Sequence, residues 1–373
     1  MALNFQNLAK QLPLWFRRGG DEGDVVMGVM GRLVRNLPGH TFPGWSTAEG
    51  RKAVADILLP SILEQQGFKT AWHAEMPELS YGVRRALLER RQISPCLAAR
   101  CEGCHLIINR SQDTVVMLNE EEHLVIHSFA EGLDFDTLFT RMQRLPEGLS
   151  RSLSFAHSTS RGYLTSLPGE AGEGIQLYVV LHLPALTLSN MMPQVGRGIE
   201  KLQLNMSPFY PNLGEECGNS CVLYTHPVPT GALQEVREHL EDVVDTLVTR
   251  EHQVRLQLLE LSRKGDVFVE DRICRSYGLL SYARAISAAE WADALSLLRL
   301  GVWFGYISAE DAQPEELLAE LAQLAIIGGE FCDGQEQFER AHPRAATAAE
   351  QARATAIRHF LNHTTLPAHT AAR

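Results

Sequence analysis

The sequence predicts an α+β fold in which a strand-rich region precedes a mainly helical C-terminal region. Short β-branched or aromatic runs, separated by polar or glycine-rich turns, occupy residues 69–226. From Gly231 onward, the hydrophobic residues recur at steps of three and four, which is the period of a helix. The 373 residues, of which 45% are hydrophobic, are enough for one large domain or two unequal ones.

Six strands are predicted from the strand-like runs. They lie at 69–76, 104–109, 114–118, 124–129, 175–183 and 222–226. Residues 119–123, Asn-Glu-Glu-Glu-His, link two of these runs and therefore predict a tight connection between antiparallel neighbours. Side chains in such a connection lie at the end of a sheet, where they reach a cleft.

The helical region begins with one long helix, or two joined ones, over 231–263, and residues 264–266 predict its end. Further helices are predicted at 288–300, 315–327 and 345–362; Pro314 begins the second and Gly328 ends it. We expect a first domain at 1–263 with an N-terminal segment at 1–20, a helical domain at 264–363 and a flexible tail at 364–373.

Charge and composition exclude several functions. A net charge of -11 gives no field that attracts nucleic acid or an anionic membrane, so a neutral or basic partner is favoured. Residues 1–20 lack the apolar core of a secretory signal, and no segment approaches the roughly 18 unbroken apolar residues of a membrane span. The seven scattered cysteines indicate reduced thiols, and we expect a cytoplasmic protein.

A CxxCH motif formed by Cys101, Cys104 and His105 raises the question of a metal site. Structural zinc sites usually show two paired ligand sets, and the sequence contains no second CxxC. Haem attachment through CxxCH requires an exported protein. We therefore predict that the chain binds no metal ion through these residues.

Four segments resemble the ATP:guanidino phosphotransferases, in the order in which that family has them. Residues 27–36, MGVMGRLVRN, resemble the family's SSRIRLARN, and residues 119–123 resemble NEEDH. Residues 162–174, GYLTSLPGEAGEG, followed by LHLPAL at 181–186, resemble GYLTSCPTNxGTG of the bacterial protein-arginine kinases. Residues 275–280 and 298–307 resemble the C-terminal domain of those kinases. The resemblance implies a large antiparallel β-sheet flanked by helices and a C-terminal helical domain used for dimer contacts.

The resemblance also implies a reaction, the transfer of the γ-phosphoryl group of Mg-ATP to a guanidinium nitrogen. Arginines neutralise the phosphates, since phosphoryl transfer depends mainly on positioning and charge stabilisation. Two carboxylates hold the planar guanidinium and assist its loss of a proton. A cysteine beside the guanidinium tunes it further.

This chain departs from that pattern at most positions. Arg32 matches a phosphate-binding arginine, and Glu121 matches the guanidinium-binding carboxylate of NEEDH. The other family positions are replaced: four arginines correspond to Met30, Val125, Gln176 and Ser207, the second carboxylate to Asn212, and the cysteine to Leu167. Glu170 and Glu173 add negative charge where the family places polyphosphate.

These losses favour a pseudokinase that retains the fold for binding or assembly. We expect a protein partner, either one that presents arginine or a zinc-binding activator of the kind that accompanies the family, and a homodimer. The alternative is an active ATP-dependent protein-arginine kinase, with Glu121 on the acceptor and Arg32 on the phosphates. A third hypothesis is a sensor for an uncharged small molecule, in a pocket lined by Met30, Val125, Leu167 and Gln176.

Several of these residues also have structural interpretations. Glu121 either binds an arginine or belongs to a segment kept only for its turn, with Asn119 setting the turn and His123 capping it. Arg32 either meets an anion or pairs with neighbouring acids. His182 is interpreted as a core residue. The Arg-Asp pair of the family's C-terminal phosphoarginine site corresponds to Ala349 and Glu350, which predicts a plain solvated helix there.

Overall fold

The structure of the protein is a computed structural model that describes residues 23–100, 102–210, 217–324 and 347–366. Several predictions lie outside these residues: the 1–20 segment, Cys101, Asn212, the end of the 315–327 helix and most of the tail. Two compact units divide the described chain. Unit 1 comprises residues 29–178 and 224–241, and unit 2 comprises 23–28, 179–223, 242–324 and 347–366. The expected domain boundary at residue 263 stays a prediction.

An eight-stranded sheet has the order β2-β3-β4-β5-β1-β8-β10-β9. Its strands are β1 Val26–Arg35, β2 Trp72–Glu75, β3 His105–Ile108, β4 Thr114–Leu118, β5 Leu124–Glu131, β8 Ile175–His182, β9 Leu204–Pro208 and β10 Ser220–Thr225. A separate hairpin pairs β6 His157–Ser158 with β7 Gly162–Tyr163. The predicted runs therefore form strands, although β2 and β3 are shorter than expected.

Strands β2 to β5 form an antiparallel meander, as their registers show. Trp72 pairs with Ile108, His105 with Leu118, and Thr114 with Ser128. The connection between β4 and β5 is the segment 119–123, in which the Asn119 N–H donates to the His123 carbonyl at 3.0 Å. Asn119 has a φ of +56°, a conformation that asparagine tolerates better than most residues. The predicted tight turn is confirmed.

Strand β1 was not predicted, and it lies at the centre of the sheet. Its sequence, VMGVMGRLVR, is almost continuously apolar and contains two glycines, so it lacks the alternation of a half-exposed strand. Most of its residues are buried. A central strand covered on both faces has this composition, because neither face needs polar side chains.

Eleven α-helices of four or more residues are found in the described chain. They are α1 Ala48–Leu63, α2 Tyr81–Glu89, α3 Pro95–Ala98, α4 Phe135–Leu149, α5 Pro184–Leu188, α6 Met192–Lys201, α7 Leu233–Arg263, α8 Phe268–Tyr282, α9 Ala288–Trp303, α10 Pro314–Leu324 and α11 Ala348–Leu361. The long helix is single, which is one of the two alternatives that the sequence left open, and it ends at Arg263 as predicted. Helices α2 to α6 lie within residues 69–226, the region expected to be strand-rich, so that region contains more helix than its sequence pattern indicated.

Local chemistry sets where the helices begin. The Thr47 side chain accepts from the Gly50 N–H at the start of α1. Ser287 and Glu290 form a reciprocal capping box at the start of α9. In unit 2, helices α8 to α11 share one apolar core with members such as Ile273, Leu298 and Ile357. None of the described helices combines the length and the apolar character needed to cross a membrane.

Helix α4 identifies the two faces of the sheet in unit 1. A Cβ atom at Gly31 of β1 would lie 2.0 Å from the Met142 sulfur of α4, so Gly31 faces this helix with no room to spare. Side chains alternate between the faces of a strand. Met30 and Arg32 therefore face the opposite side of the sheet, where both are partly exposed.

Candidate functional site

The candidate site is the face of the unit 1 sheet that carries Arg32. Strands β5 and β8 flank β1 in the sheet, and the Arg32 charge acts on the pKa values of His127 in β5 and Tyr178 in β8. The Tyr178 ring stacks on Tyr224 of β10 with centroids 5.5 Å apart. Burial raises the pKa of Tyr178 to about 12, so its phenol stays neutral. The two stacked tyrosine rings are therefore neutral groups at this site.

Arg32 is held between two carboxylates at the end of the sheet. Its Nη2 atom lies 3.5 Å from Glu121 Oε2 and 3.7 Å from Glu120 Oε2. Both distances exceed the 2.7–2.9 Å of a close charge-assisted hydrogen bond. The guanidinium therefore forms loose ion pairs with both acids, and its charge is already compensated within the chain.

Of these two acids, Glu121 is the more accessible. Its side chain is 57% exposed, whereas that of Glu120 is 3% exposed. Partial burial, followed by the charge of Glu120, raises the pKa of Glu121, while Arg32 opposes that shift. Glu121 thus lies at the protein surface beside a second carboxylate, and this arrangement attracts a second cation.

The rest of the 119–123 segment has internal partners. The Asn119 side-chain amide donates to the Arg51 and Gly103 carbonyls at 2.8 and 2.7 Å. Glu120 accepts from the Ser94 hydroxyl and from the Glu121 N–H. The His123 ring accepts from the Leu37 N–H at 3.1 Å and contacts the Thr41 carbonyl at 3.0 Å. These contacts agree with the structural interpretation of the turn.

Glu122 joins the turn to the loop that follows β7. Its carboxylate accepts from the Ser166 N–H at 2.8 Å, from the Ser166 hydroxyl at 2.8 Å and from the Asn36 amide at 2.7 Å. Burial raises the pKa of Glu122, and these donors work against that effect. The loop therefore keeps its frame through Glu122, although Leu167 replaces its cysteine and is 55% exposed.

Arg35, three residues after Arg32, has a structural role. Its guanidinium lies 3.4 Å from the centroid of the Tyr163 ring and donates to the Val34 and Glu173 carbonyls at 2.7 and 2.9 Å. The Glu173 carboxylate accepts from the Gly231 N–H at 2.7 Å. The buried Arg35 thus braces the loop and does not face the site around Arg32.

The residues at the four replaced arginine positions carry no positive charge. Val125 has no exposed surface. Gln176 is engaged inside unit 1, because its Oε1 accepts from the Tyr178 hydroxyl at 3.1 Å and its Nε2 is 3.5 Å from the Thr225 carbonyl oxygen. Met30 is half-buried on the Arg32 face. Ser207 lies in β9 of unit 2, and Asn212 is outside the described residues.

His127 is a site residue that the sequence analysis missed. It is buried in β5, and its Nδ1 atom has no hydrogen-bond partner. Burial, with a smaller contribution from the Arg32 charge, lowers the pKa of His127 to about 3. The available signal was a histidine inside an otherwise apolar strand, Leu-Val-Ile-His-Ser-Phe.

The neutral state of His127 predicts a loss of stability in acid. The unfolded imidazole, with a pKa of about 6.5, gains a proton as the pH falls, whereas the folded ring does not. We expect the His127 contribution to lower the free energy of unfolding by about 2 kcal/mol between pH 8 and pH 5. His127→Leu should remove that increment, as measured by urea unfolding at both pH values.

The matched control is Ile126→Val in the same strand, which removes one buried methylene and no titrating group. Its cost of about 0.5–1.5 kcal/mol should be equal at pH 5 and pH 8. An unchanged pH dependence in the His127→Leu variant would contradict the assignment of a buried neutral ring.

Three other predicted features have structural partners. Cys104 is buried with its sulfur 3.2 Å from the Asn119 carbonyl oxygen, while Cys101 lies outside the described residues. His182 is buried in unit 2 with Nε2 2.7 Å from the Ser296 hydroxyl. Glu350 accepts from the Thr347 N–H at 2.7 Å and so caps α11. The prediction of a plain solvated helix is wrong, because Ala349 is buried and α11 packs into the apolar core of unit 2. Within the described ranges, no cluster of three His, Cys, Asp or Glu side chains is placed to hold a metal ion.

Comparison with known families and relatives agrees with this architecture. Residues 59–254 match the model of the ATP:guanido phosphotransferase C-terminal catalytic domain, and residues 266–371 match the protein-arginine kinase McsB C-terminal domain. The protein-arginine kinase of Halothermothrix orenii is 30% identical over 302 residues, covering 81% of this chain and 85% of the relative. That of Halalkalibacterium halodurans is 28% identical over 301 residues, covering 80% and 84%.

Solved structures show the same fold. Lombricine kinase superposes with a TM-score of 0.55 at 16% identity, covering 72% of this chain and 73% of the kinase. The duplicated taurocyamine kinase of Schistosoma mansoni, with bound transition-state analogue components, gives a TM-score of 0.55 at 21% identity. That alignment covers 64% of this chain and 34% of the kinase. With its antiparallel sheet, its retained turn and loop, and matches over both regions, the chain belongs to the ATP:guanido phosphotransferase family, and its relatives there are the protein-arginine kinases.

Proposed function

We propose that this chain is a protein-arginine-kinase-like pseudokinase, with phosphotransfer lost or severely weakened, that acts as a binding or regulatory subunit. The observation that carries the proposal is the state of Arg32. It is the arginine retained among the five phosphate-binding positions of the family, and it is paired with Glu120 and Glu121. A triphosphate approaching this face meets a compensated cation and two carboxylates.

The chemistry of the reaction supports this proposal. Phosphoryl transfer needs fixed positive charge around the transferring group, because the enzyme contributes mostly positioning and electrostatic stabilisation. Here Val125 and Gln176 replace two of those arginines, and the Tyr178–Tyr224 stack lies on the same face as Arg32. If Mg-ATP were to bind, Arg32 is the residue that would contact its phosphates. The ion pairs of Arg32 with Glu120 and Glu121 oppose that role, because both carboxylates repel phosphate.

The exposed carboxylate of Glu121 and the negative net charge of the chain favour a binding function. Glu121 is exposed, and a planar guanidinium matches a carboxylate in geometry as well as charge. The net charge of -11 also favours a basic partner over an acidic one. We therefore propose a protein partner that presents an arginine to Glu121. A homodimer and a zinc-binding activator are further proposals that follow from family membership.

Nucleotide binding gives a direct test. A ligand at a hundred times its dissociation constant stabilises a folded protein by about 2.7 kcal/mol. We expect millimolar Mg-ADP to leave the melting temperature of this chain unchanged, because Arg32, the arginine retained at the family's phosphate-binding positions, is already paired with Glu120 and Glu121. Thermal unfolding with and without Mg-ADP measures this, and a protein-arginine kinase relative treated in parallel is the positive control.

A clear rise of the melting temperature with Mg-ADP would contradict the proposal. It would favour the alternative, an active kinase in which Arg32 leaves the carboxylates to bind phosphate and Glu121 receives the acceptor. Repeating the titration with Arg32→Gln would then show whether Arg32 is the group responsible, since its loss should abolish the shift.

A further inference from the structure

We infer that Arg32 is an internal competitor for the carboxylates that would receive a partner's arginine. This inference rests on the proposed binding function and names how that site is regulated. In the free protein, the guanidinium of Arg32 occupies the inner side of Glu121 and Glu120. A guanidinium from another molecule binds Glu121 by displacing Arg32 or by sharing the carboxylate with it.

The contacts of Arg32 are long, so an external guanidinium can displace it from the carboxylates. One nitrogen, Nη2, faces both carboxylates at 3.5 and 3.7 Å. A bidentate arginine-carboxylate pair would place two nitrogens at shorter distances. Arg35 shows what a fixed arginine looks like in the same strand, since it stacks on Tyr163 and donates to two carbonyls at 2.7 and 2.9 Å.

The two carboxylates differ in how firmly they are held. Glu120 is anchored by the Ser94 hydroxyl and by the Glu121 N–H at 2.8 Å, and it is almost fully buried. Glu121 extends from the same backbone turn into solvent. The outer side of Glu121 is therefore open to a ligand, while Glu120 keeps the inner side negative.

The local charge leaves room for a second cation. Partial burial, and then the charges of Glu120 and Glu170, raise the pKa of Glu121, whereas the charges of Arg32 and Arg100 lower it. Arg32 also lowers the pKa of the neighbouring Glu122, so at least four carboxylates lie around these two guanidiniums. A further guanidinium would reduce the net negative charge of the group. Removing Arg32 instead would make the group more negative and so strengthen its attraction for an external cation.

The test is a titration with Nα-acetyl-L-arginine amide, which presents a guanidinium and carries no carboxylate. We expect Arg32→Gln to bind this probe about tenfold more tightly than the wild type, because the internal competitor is gone. Arg32→Lys, which keeps the charge, should stay near the wild-type affinity. Glu121→Gln should lose saturable binding in both the wild-type and the Arg32→Gln background. Chemical-shift perturbation reports the dissociation constants.

Arg141→Gln is the matched control. Arg141 also forms a loose ion pair in unit 1, with Nε 3.6 Å from Asp113 Oδ2, and its substitution changes the net charge equally. We expect Arg141→Gln to bind the probe like the wild type. A similar gain in both arginine variants would show a general charge effect and overturn the inference.

A second measurement keeps the inference testable should Arg32→Gln fold poorly. In the wild type, the Nε resonance of Arg32 should shift as the probe saturates Glu121, since Arg32 loses or shares its partner. An unmoved resonance at saturation, or weaker binding in Arg32→Gln, would overturn the inference. Neither readout depends on nucleotide, so a positive phosphotransfer assay would reject the pseudokinase proposal without deciding this one.

Discussion

Incubated with Mg-ATP and an arginine-containing protein, the wild-type chain is expected to form phosphoarginine at a rate about 10⁴-fold or more below that of an active protein-arginine kinase. Removal of one preorganised donor typically costs about 10²–10³ in rate, and such losses are not additive. Arg32, whose charge is already compensated, nevertheless cannot supply the stabilisation that is lost with the four replaced arginines. Acid-labile phosphoarginine in the substrate protein is the quantity to measure.

The control is Glu121→Gln, which removes the carboxylate that would hold the acceptor. If phosphotransfer is absent, this variant and the wild type should give the same background signal. Phosphoarginine that rises with time in the wild type and falls in Glu121→Gln would contradict the pseudokinase proposal. That result would establish the active alternative and assign Glu121 to the acceptor side.

Arg255→Met is expected to lower the free energy of unfolding by about 3–5 kcal/mol, the cost of leaving buried charges without a partner. Arg255 is buried in unit 2, where its Nε lies 2.7 Å from Glu251 Oε1 and its Nη1 lies 2.6 Å from Asp24 Oδ2. Glu251 is fully buried and also accepts from the Ala185 and Leu186 N–H groups at the start of α5. Urea unfolding followed by tryptophan fluorescence measures the change.

Arg275→Met is the matched control for this prediction. Arg275 forms the same kind of pair, with an acid four residues away at 2.7 Å, but its side chain is 80% exposed. Exposed pairs of this spacing contribute about 0.3–0.5 kcal/mol, so the control should barely change stability. Equal effects of the two substitutions would show that burial of the Arg255 network does not carry the expected cost.

Family membership could be read from the sequence, because the motifs at 119–123 and 162–174 occur in order and retain residues that the fold needs. The structure shows why those residues are retained. Asn119, Glu122 and His123 each hold a backbone or loop contact, whereas Leu167 replaced the loop's cysteine without disturbing these contacts. A motif whose structural members persist identifies a fold even where its chemistry has changed.

Other parts of the site were beyond sequence reasoning. Strand β1 escaped prediction because a buried central strand lacks polar alternation. His127 escaped notice because its burial, which fixes its charge, depends on what covers β5. The stacked Tyr178 and Tyr224 are 46 residues apart in sequence, so only the pairing of the strands brings their rings together.

The sequence by itself determined the α+β class, the long helix, the turn at 119–123 and the absence of four expected arginines, since each depends on residue identity or local periodicity. Only the tertiary structure decided how the retained residues are used. Arg32 and Glu121 match catalytic positions when read singly, but their side chains meet at 3.5 Å and compensate each other. Charge compensation depends on distance through space, and distance is set by the sheet rather than by the order of residues along the chain.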